Sequence, residues 1–542
     1  MTDLLEFLSS LLEGMGLIAL ALSLGGVGFA FFVLRGATTS SLLLHDALTQ
    51  SIQVATIAAG SLAGLRALHL LIKPLALVDV MGSAAFQNFF HTQVFVYGLA
   101  SAICAGGLAV GLSWLLRDLR KTRRWGVVGL WSLLFLVNEA WRSHAASRLE
   151  DRELLMLVTM LHVTGATIWA GGVAHLLLAW RFLRRLSRTS REWGQLVSQF
   201  SPLGVVTVGF VVGSGLYLSW TYVGKWEGLW GTGYGNLLLV KLVLFGCVLL
   251  LAALNFRAGL LWRHRNALAA RLLSRVPVYL EVECMLAMVL LFTAAALTGF
   301  PPSVDVTEAT VTPSEMWRMF APKLPRLAGP EPILVAAPEL TDPSTGLLGQ
   351  KEDLSWDRFN HNVSGIIVLA IAGIAWLDWL GKFSWARYWP FLFVGFSLLI
   401  FVFANPDHWP YGSIGFIRSL QDAEVVQHWL AAVVVFGLGW FEWKARSHRE
   451  KNPMLPFVFP ILCLVGGMIL LTHSHNITEL KPEFLIQGTH VAMGLLGVLV
   501  GCSRWLELRL SSPHNRIAGF LAISGMMLVG WILVFYVNPN AS

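Results

Sequence analysis

Long runs of apolar residues, separated by short polar segments, follow one another along this chain of 542 residues. Each run has roughly 20 residues, the length that a helix needs to cross ~30 Å of hydrocarbon. Only helices and closed barrels pair all of their backbone polar groups in lipid, and continuous rather than alternating apolar runs predict helices. We therefore expect an all-α polytopic transmembrane helical bundle of about 14 spans. These lie near residues 14–34, 48–71, 86–113, 125–141, 153–180, 195–222, 236–256, 277–300, 361–380, 388–404, 425–443, 454–472, 484–503 and 517–537.

Charge fixes the expected orientation of these spans. Only 13% of the residues are charged, against about 25% in soluble domains. The basic residues are concentrated in alternate short loops, such as 117–124, 181–191 and 257–275, which the positive-inside rule places in the cytoplasm. Both termini then face outward, in a multi-pass membrane protein. The net charge of +7 is explained by these loops and predicts no binding to nucleic acid.

The remaining features of the chain predict three parts. The N-terminus carries Asp3, Glu6 and Glu13 where a cleavable signal would be basic, so we expect the first span to be retained. The loop at 301–358 has nine prolines, and its nine acidic residues outnumber its five basic ones. It is predicted to be an extracytoplasmic linker. It separates an eight-span module, residues 1–300, from a six-span module, residues 359–542.

Ten of the fifteen histidines fall on the outer side in this topology. Neutral imidazole is a common metal ligand, so this asymmetry indicates a metal or metallocofactor site at that face. The outer set consists of His69, His91, His144, His162, His361, His408, His428, His473, His475 and His490.

The first histidine cluster belongs to the eight-span module. His69 is predicted to end the second span, His91 to open the third, and His162 to lie roughly 13 Å into the fifth. A polar side chain at that depth is a functional candidate, and we predict a second metal site that combines His162 with His69 or His91. Met156 and Met160 lie just above it, and thioether sulfur with imidazole suits Cu(I). The alternative is that His162 hydrogen-bonds a neighbouring helix while the methionines pack.

The second cluster belongs to the six-span module and is denser. Our preferred metal site combines His428, His473, His475 and His490, because an extended His-x-His pair puts both rings on one face. Further candidate ligands are His361, His408, Asp407 and Met493. The alternative is that these are interfacial histidines that cap helix ends.

Two other observations bear on function. Glu281 and Glu283 lie near the cytoplasmic end of the eighth span, where we expect both to face nearby arginines rather than to carry protons. The chain has no phosphate-binding loop, no Asp-Lys-Thr-Gly motif and no large cytoplasmic domain. We therefore expect neither an ATPase nor another enzyme.

Several short motifs follow one another between residues 150 and 260. They are Leu-His-Val-Thr-Gly at 161–165, Trp-Ala-Gly-Gly at 169–172, Gln-Phe-Ser-Pro at 199–202, Gly-Ser-Gly at 213–215 and Thr-Gly-Tyr-Gly-Asn at 232–236, with Lys241 and Asn255. In order and spacing they resemble the CopD family of bacterial copper-resistance and copper-transport membrane proteins, as does an eight-helix arrangement over 14–300. The resemblance implies an inner-membrane protein that moves or delivers copper, often beside a periplasmic carrier of the CopC type.

Three functions remain open at this point. The leading one is copper handling through outer-face His/Met sites, as uptake or as delivery to a membrane cuproenzyme. The second is a b-type cytochrome that exchanges electrons with quinone, because His162 and His175 are separated as in helices that hold two haems. An inner haem b would lack a second mid-span histidine. The third is an accessory subunit of a membrane complex.

Overall fold

The computed structural model describes residues 2–37, 42–185, 190–306, 310–329, 347–447, 452–472 and 480–538. Fourteen helices of 14 or more residues dominate this part of the chain, and they contain no strand. In chain order α1 to α14 are Thr2–Phe29, Leu42–Met81, Gln93–Leu116, Thr122–Trp141, Arg152–Arg185, Ser190–Val223, Gly233–Arg263, Val276–Leu297, Leu347–Trp379, Pro390–Phe403, Ala423–Ser447, Val458–Thr472, Leu480–Arg509 and His514–Val534.

Thirteen helices of the described chain are long and apolar enough to cross a membrane. The prediction of an all-α polytopic helical bundle is confirmed, with one span fewer than the fourteen expected. The exception is α4, the helix whose limits are hardest to predict. It has 20 residues, but Arg123, Arg124 and Glu139 shorten its apolar part.

Several predicted boundaries are wrong by a few turns. Helix α2 continues to Met81, so His69 lies inside it rather than at its end. Helix α3 begins at Gln93, which leaves His91 in the preceding turn. Helix α9 begins at Leu347, well inside the predicted linker.

The first module is built around α1, which packs against α2, α5 and α8. The closest approach is between Gly25 of α1 and Gly171 of α5. A Cβ atom on Gly171 would lie 1.9 Å from the carbonyl oxygen of Ala21, so only glycine permits this crossing. Small residues at such a crossing let two helices approach closely in a membrane.

The second module contains α9 to α14, with α9 against α14 and α10 against α11. Its α12 and α13 pack against α8 of the first module. We call the end of the bundle that carries residues 301–306 and 310–329 the outer end, and the opposite end the inner end. The exact division of the chain into modules stays a prediction, because part of the linker lies outside the described residues.

A buried asparagine fastens the outer end of the second module. Asn362 is fully buried; its amide nitrogen donates to the carbonyl oxygens of Leu533, at 3.1 Å, and Tyr536, at 3.0 Å. Its side-chain oxygen accepts a 2.7 Å hydrogen bond from the backbone of Arg326. One side chain of α9 thus holds both the outer loop and the chain that follows α14.

Candidate metal site

A cavity of about 310 Å³ lies among the helices of the second module, and every one of α9 to α14 contributes to its walls. Most of the lining is apolar, with aromatic and aliphatic side chains such as Phe393, Phe459 and Leu533. The polar groups, which include Asp357 and three histidines, come from the outer parts of α9, α11 and α13. The cavity therefore has an apolar body and a polar outer end.

His361 on α9 is held by an acidic side chain one turn earlier. Its Nδ1 lies 2.9 Å from Oδ1 of Asp357 and 2.8 Å from the Asp357 carbonyl oxygen. The same carboxylate accepts hydrogen bonds from the Tyr536 hydroxyl, at 3.1 Å, and from Asn538, at 2.8 Å. Burial raises the pKa of Tyr536, and the Asp357 carboxylate adds to this, so the phenol keeps the proton that it donates.

His428 and His490 reach the same cavity from α11 and α13. Nδ1 of His428 lies 2.7 Å from Oδ1 of Asn405, in the turn after α10. Nδ1 of His490 lies 3.1 Å from the carbonyl oxygen of Ile486, one turn earlier on α13. The His490 ring meets the ring of His361 edge to face, with centroids 6.0 Å apart.

The three imidazoles share one hydrogen-bonding pattern. In each ring Nδ1 faces an oxygen acceptor, so a neutral ring carries its proton on Nδ1 and its lone pair on Nε2. Metal-ligating histidines have this arrangement, in which the hydrogen bond of one nitrogen orients the other. Met493, only 4% exposed, adds a thioether to the same cavity from α13.

No three His, Cys, Asp or Glu side chains are close enough together to hold a metal ion in the part of the chain described. Of our preferred set, the structure brings His428 and His490 to one cavity, while His473 and His475 lie outside the described residues. The sequence ranked His361 as a secondary candidate. The orientation of its ring depends on Asp357, which also accepts from Tyr536, and no sequence motif singled out either of these residues.

The other candidates of the second module are placed elsewhere. His408 does not line the cavity, since its Nδ1 lies 3.3 Å from the Ser419 hydroxyl and its Nε2 3.9 Å from Asp422. Asp407 is exposed in the same turn. Both residues belong to the loop between α10 and α11 and lie outside the cavity lining.

In the first module, His69 belongs to a network of buried charges. Its ring accepts or donates a 2.6 Å hydrogen bond with Ser9 and lies 3.4 Å from Glu13. Arg66, one turn earlier and only 3% exposed, binds both Glu13 and Glu139. Sequence reasoning missed this network, although the opposite charges of Arg66 and Glu139 inside two predicted spans were a usable signal.

Arg142 completes the network, since it binds Glu13 at 3.2 Å and Glu139 at 2.9 Å. Two guanidinium groups and two carboxylates therefore neutralise each other. Beside them lies a cavity of about 240 Å³ lined by Arg66, His69 and Arg142. These contacts assign His69 to an ion-pair network.

His162 hydrogen-bonds a neighbouring helix. Its Nδ1 lies 3.0 Å from the Ser214 hydroxyl, which donates its own proton to the carbonyl oxygen of Phe210. The ring is also near Lys241 of α7. Within the described chain, His162 forms no hydrogen bond with His69 or with His91, which is exposed in a turn.

The two methionines above His162 are partly buried, and Met160 packs against the hydrophobic core. They lie four positions apart on α5, and the structure gives no contact that joins either sulfur to an imidazole. Packing against the hydrophobic core therefore explains the position of the Met160 side chain.

His175, the inner member of the proposed haem pair, has both ring nitrogens engaged. Nδ1 lies 2.8 Å from the Ser51 hydroxyl and Nε2 lies 2.9 Å from the carbonyl oxygen of Leu22. The ring is 1% exposed and stacks on Phe29. An iron atom would have to displace one of these bonds, so this site does not support a haem b.

The two glutamates of α8 differ. Glu281 binds Arg509 at 2.8 and 3.0 Å and Trp505 at 2.9 Å, as expected for a residue that faces an arginine. Glu283 instead accepts a 2.8 Å hydrogen bond from the Asn255 amide, a neutral donor. The expectation that both face arginines is wrong for Glu283.

Fold and site define a multi-pass membrane protein whose second module encloses a largely apolar cavity with histidines at its outer end. Residues 194–297, which contain most of α6 and all of α7 and α8, match the family described as Copper resistance protein D, CopD. The resemblance to the CopD family is confirmed over this segment.

A curated relative extends the similarity. The chain is 31% identical over 298 residues to the copper transport protein CutJ of Bacillus subtilis (strain 168). The aligned region covers 52% of this chain and 51% of that relative, so the chain spans about half the length of the curated relative it matches. No solved structure matches the chain.

Proposed function

We propose that this protein handles copper at the outer face of a bacterial inner membrane, by uptake or by delivery to a membrane cuproenzyme. The supporting similarities are the CopD-family segment and the relative named a copper transport protein. In this proposal copper is the cargo, and the second module receives it.

The observation that carries the proposal is the common orientation of His361, His428 and His490. All three line one cavity, and in each ring Nδ1 lies within 3.1 Å of an oxygen, which is the contact that orients metal-ligating histidines. Imidazole and thioether ligands suit Cu(I), and Met493 lies in the same walls. His473 and His475 follow α12 in the chain and are proposed as additional ligands on that basis.

Metal content in purified protein tests the proposal. We expect the wild type to bind Cu(I), and a His428→Ala/His490→Ala variant to bind it at least tenfold more weakly, because these rings supply two ligands. His264→Ala is the matched control, since this histidine is exposed at the inner end. Equal affinity of the double variant and the wild type would contradict the proposal.

A second variant, His473→Ala/His475→Ala, tests the extension of the site. Weaker binding would add these histidines to the ligand set, whereas unchanged binding would restrict the site to the cavity. A CopC-like carrier is the partner that this function implies. Cu(I) transfer from such a carrier to the wild type, but not to His428→Ala/His490→Ala, is the expected result.

A further inference from the structure

Glu283 is a buried acidic residue that the proposed copper site does not use. It lies seven residues after the start of α8, or roughly 10 Å along the helix from its inner end. The residue is 2% exposed. The Asn255 amide donates to its Oε2 at 2.8 Å, and the Trp169 indole lies beside the same carboxyl group. All three residues belong to one cavity of about 260 Å³.

No cation of the described chain pairs with Glu283. Arg509 on α13 is bound to Glu281. On α7, Arg263 donates to the carbonyl oxygen of Ser198, and Arg257 is exposed.

In the described part of the chain, the remaining helices packed against α8 also provide no cation that pairs with Glu283. On α5, Arg181 is exposed, and both nitrogens of His175 are engaged by α1 and α2. The acidic residues of α1, which are Asp3, Glu6 and Glu13, lie in its outer half, and α12 contains no charged residue. On α8 itself, the neighbouring titratable groups are the Tyr279 phenol, the paired Glu281 and the Cys284 thiol. Glu283 therefore faces neutral groups.

A second observation points to a proton in this cavity. Asn255 is 8% exposed, and its side-chain oxygen has no hydrogen-bond partner. Since buried acceptors are nearly always satisfied, this oxygen requires a donor from the cavity. A water molecule that exchanges a proton with the carboxyl group, or the carboxyl O–H itself, supplies one.

Burial of an ionised carboxylate without a partner costs several kcal/mol, whereas the neutral acid needs only hydrogen bonds. Ionisable residues placed in this way inside membranes mark proton relays. We propose that Glu283 is a proton-binding site that takes up a proton from the cavity and releases it again during each transport cycle. The coupling to cargo rests on the proposed copper function, whereas the proton site itself does not.

Infrared spectroscopy of the purified protein tests the proton site without copper. We expect the wild type to show the C=O band of a buried protonated carboxyl group near neutral pH, and Glu283→Gln to lose it. Glu281→Gln is the matched control, because it removes a carboxylate from the same helix that Arg509 keeps ionised. Glu283→Asp, which retains a carboxyl group, should keep a shifted band. A band that persists in Glu283→Gln, or is missing in the wild type, would overturn the proposal.

Copper uptake into reconstituted vesicles tests the coupling. We expect the initial rate of Cu(I) uptake by the wild type and by Glu281→Gln to change with an imposed pH gradient, and this dependence to vanish in Glu283→Gln. Gradient-dependent uptake by Glu283→Gln would overturn the coupling. If the wild type takes up no copper at all, the proposed function fails, and the infrared result still decides whether Glu283 binds a proton.

Discussion

The guanidinium of Arg509 donates two hydrogen bonds, of 2.8 and 3.0 Å, to the carboxylate of Glu281. Arg509 ends α13 of the second module and Glu281 lies on α8 of the first, so this ion pair joins the two modules at the inner end. The indole of Trp505 donates to the same carboxylate. Contacts between α8 and the helices α12 and α13 surround the pair.

We predict that Arg509→Ala lowers the free energy of unfolding by about 3 kcal/mol, because it leaves a nearly buried carboxylate without its cation. Glu281→Gln should cost less, since the amide oxygen can still accept from Trp505. Denaturant titration in detergent measures both values. A cost of Arg509→Ala no larger than that of Glu281→Gln would show that the pair contributes little.

The charge network of the first module gives a second prediction. Arg66→Met removes the cation shared by Glu13 and Glu139 and should lower the free energy of unfolding by about 3–5 kcal/mol. The matched control is Asp305→Asn, which breaks an exposed pair with Arg148 and should cost less than about 1 kcal/mol. Similar thermal stability of the two variants would contradict this reading of the network.

The crossing of α1 and α5 gives a third prediction. Gly171→Ala places a methyl group against the Ala21 carbonyl and should destabilise the protein by about 1–3 kcal/mol, or more if the helices must separate. Gly209→Ala is the control, because a Cβ there meets no atom within 4 Å. Melting temperatures in one detergent compare the two. Equal melting temperatures would mean that the crossing can widen freely.

His144, in the outer loop before α5, gives a pH dependence. Burial, together with the nearby Arg148 guanidinium, holds the pKa of His144 below its usual value of about 6.5. The unfolded chain therefore binds this proton more readily than the folded protein as the pH falls below that value. Stability should decrease toward acid pH, by at most about 1.4 kcal/mol per pH unit from this group.

The test is the difference between the wild type and His144→Gln. Between pH 7 and pH 5 we expect the free energy of unfolding of the variant to fall less steeply than that of the wild type. His144 lies between α4 and α5, in the short 3-10 helix His144–Ser147. Its replacement leaves the other histidines in place, so we expect them to titrate alike in both proteins. Parallel pH profiles would exclude a contribution from His144.

The length of the continuous apolar runs was enough to predict the helices, because a run of about 20 apolar residues is stable in lipid as a helix, which pairs its backbone polar groups internally. It could not place helix ends, so α2 and α9 extend beyond their predicted limits. The site was predicted in part. His428 and His490 share a cavity, but Asn405 orients His428 from the turn after α10, and such a tertiary contact leaves no local pattern. The Asp357–His361 contact joins positions i and i+4 of one helix, and only the packing of α9 shows that this pair faces the cavity.

The difference between Glu281 and Glu283 shows the same limit. The two residues are two positions apart, and both lie beside arginine-rich loops, so the sequence alone predicts the same environment for both. Which carboxylate meets Arg509 depends on how α13 packs on α8, which is a tertiary property.

The hydrogen bonds that Asn362 donates to the carbonyl oxygens of Leu533 and Tyr536 have a consequence for biosynthesis. Both carbonyls belong to chain that is made more than 170 residues after Asn362. Asn362 can accept from the Arg326 backbone as soon as α9 has been made, but its contact with the end of α14 forms only after α14 has been inserted. The first and last helices of the second module are therefore joined at the outer end after the insertion of this module is complete.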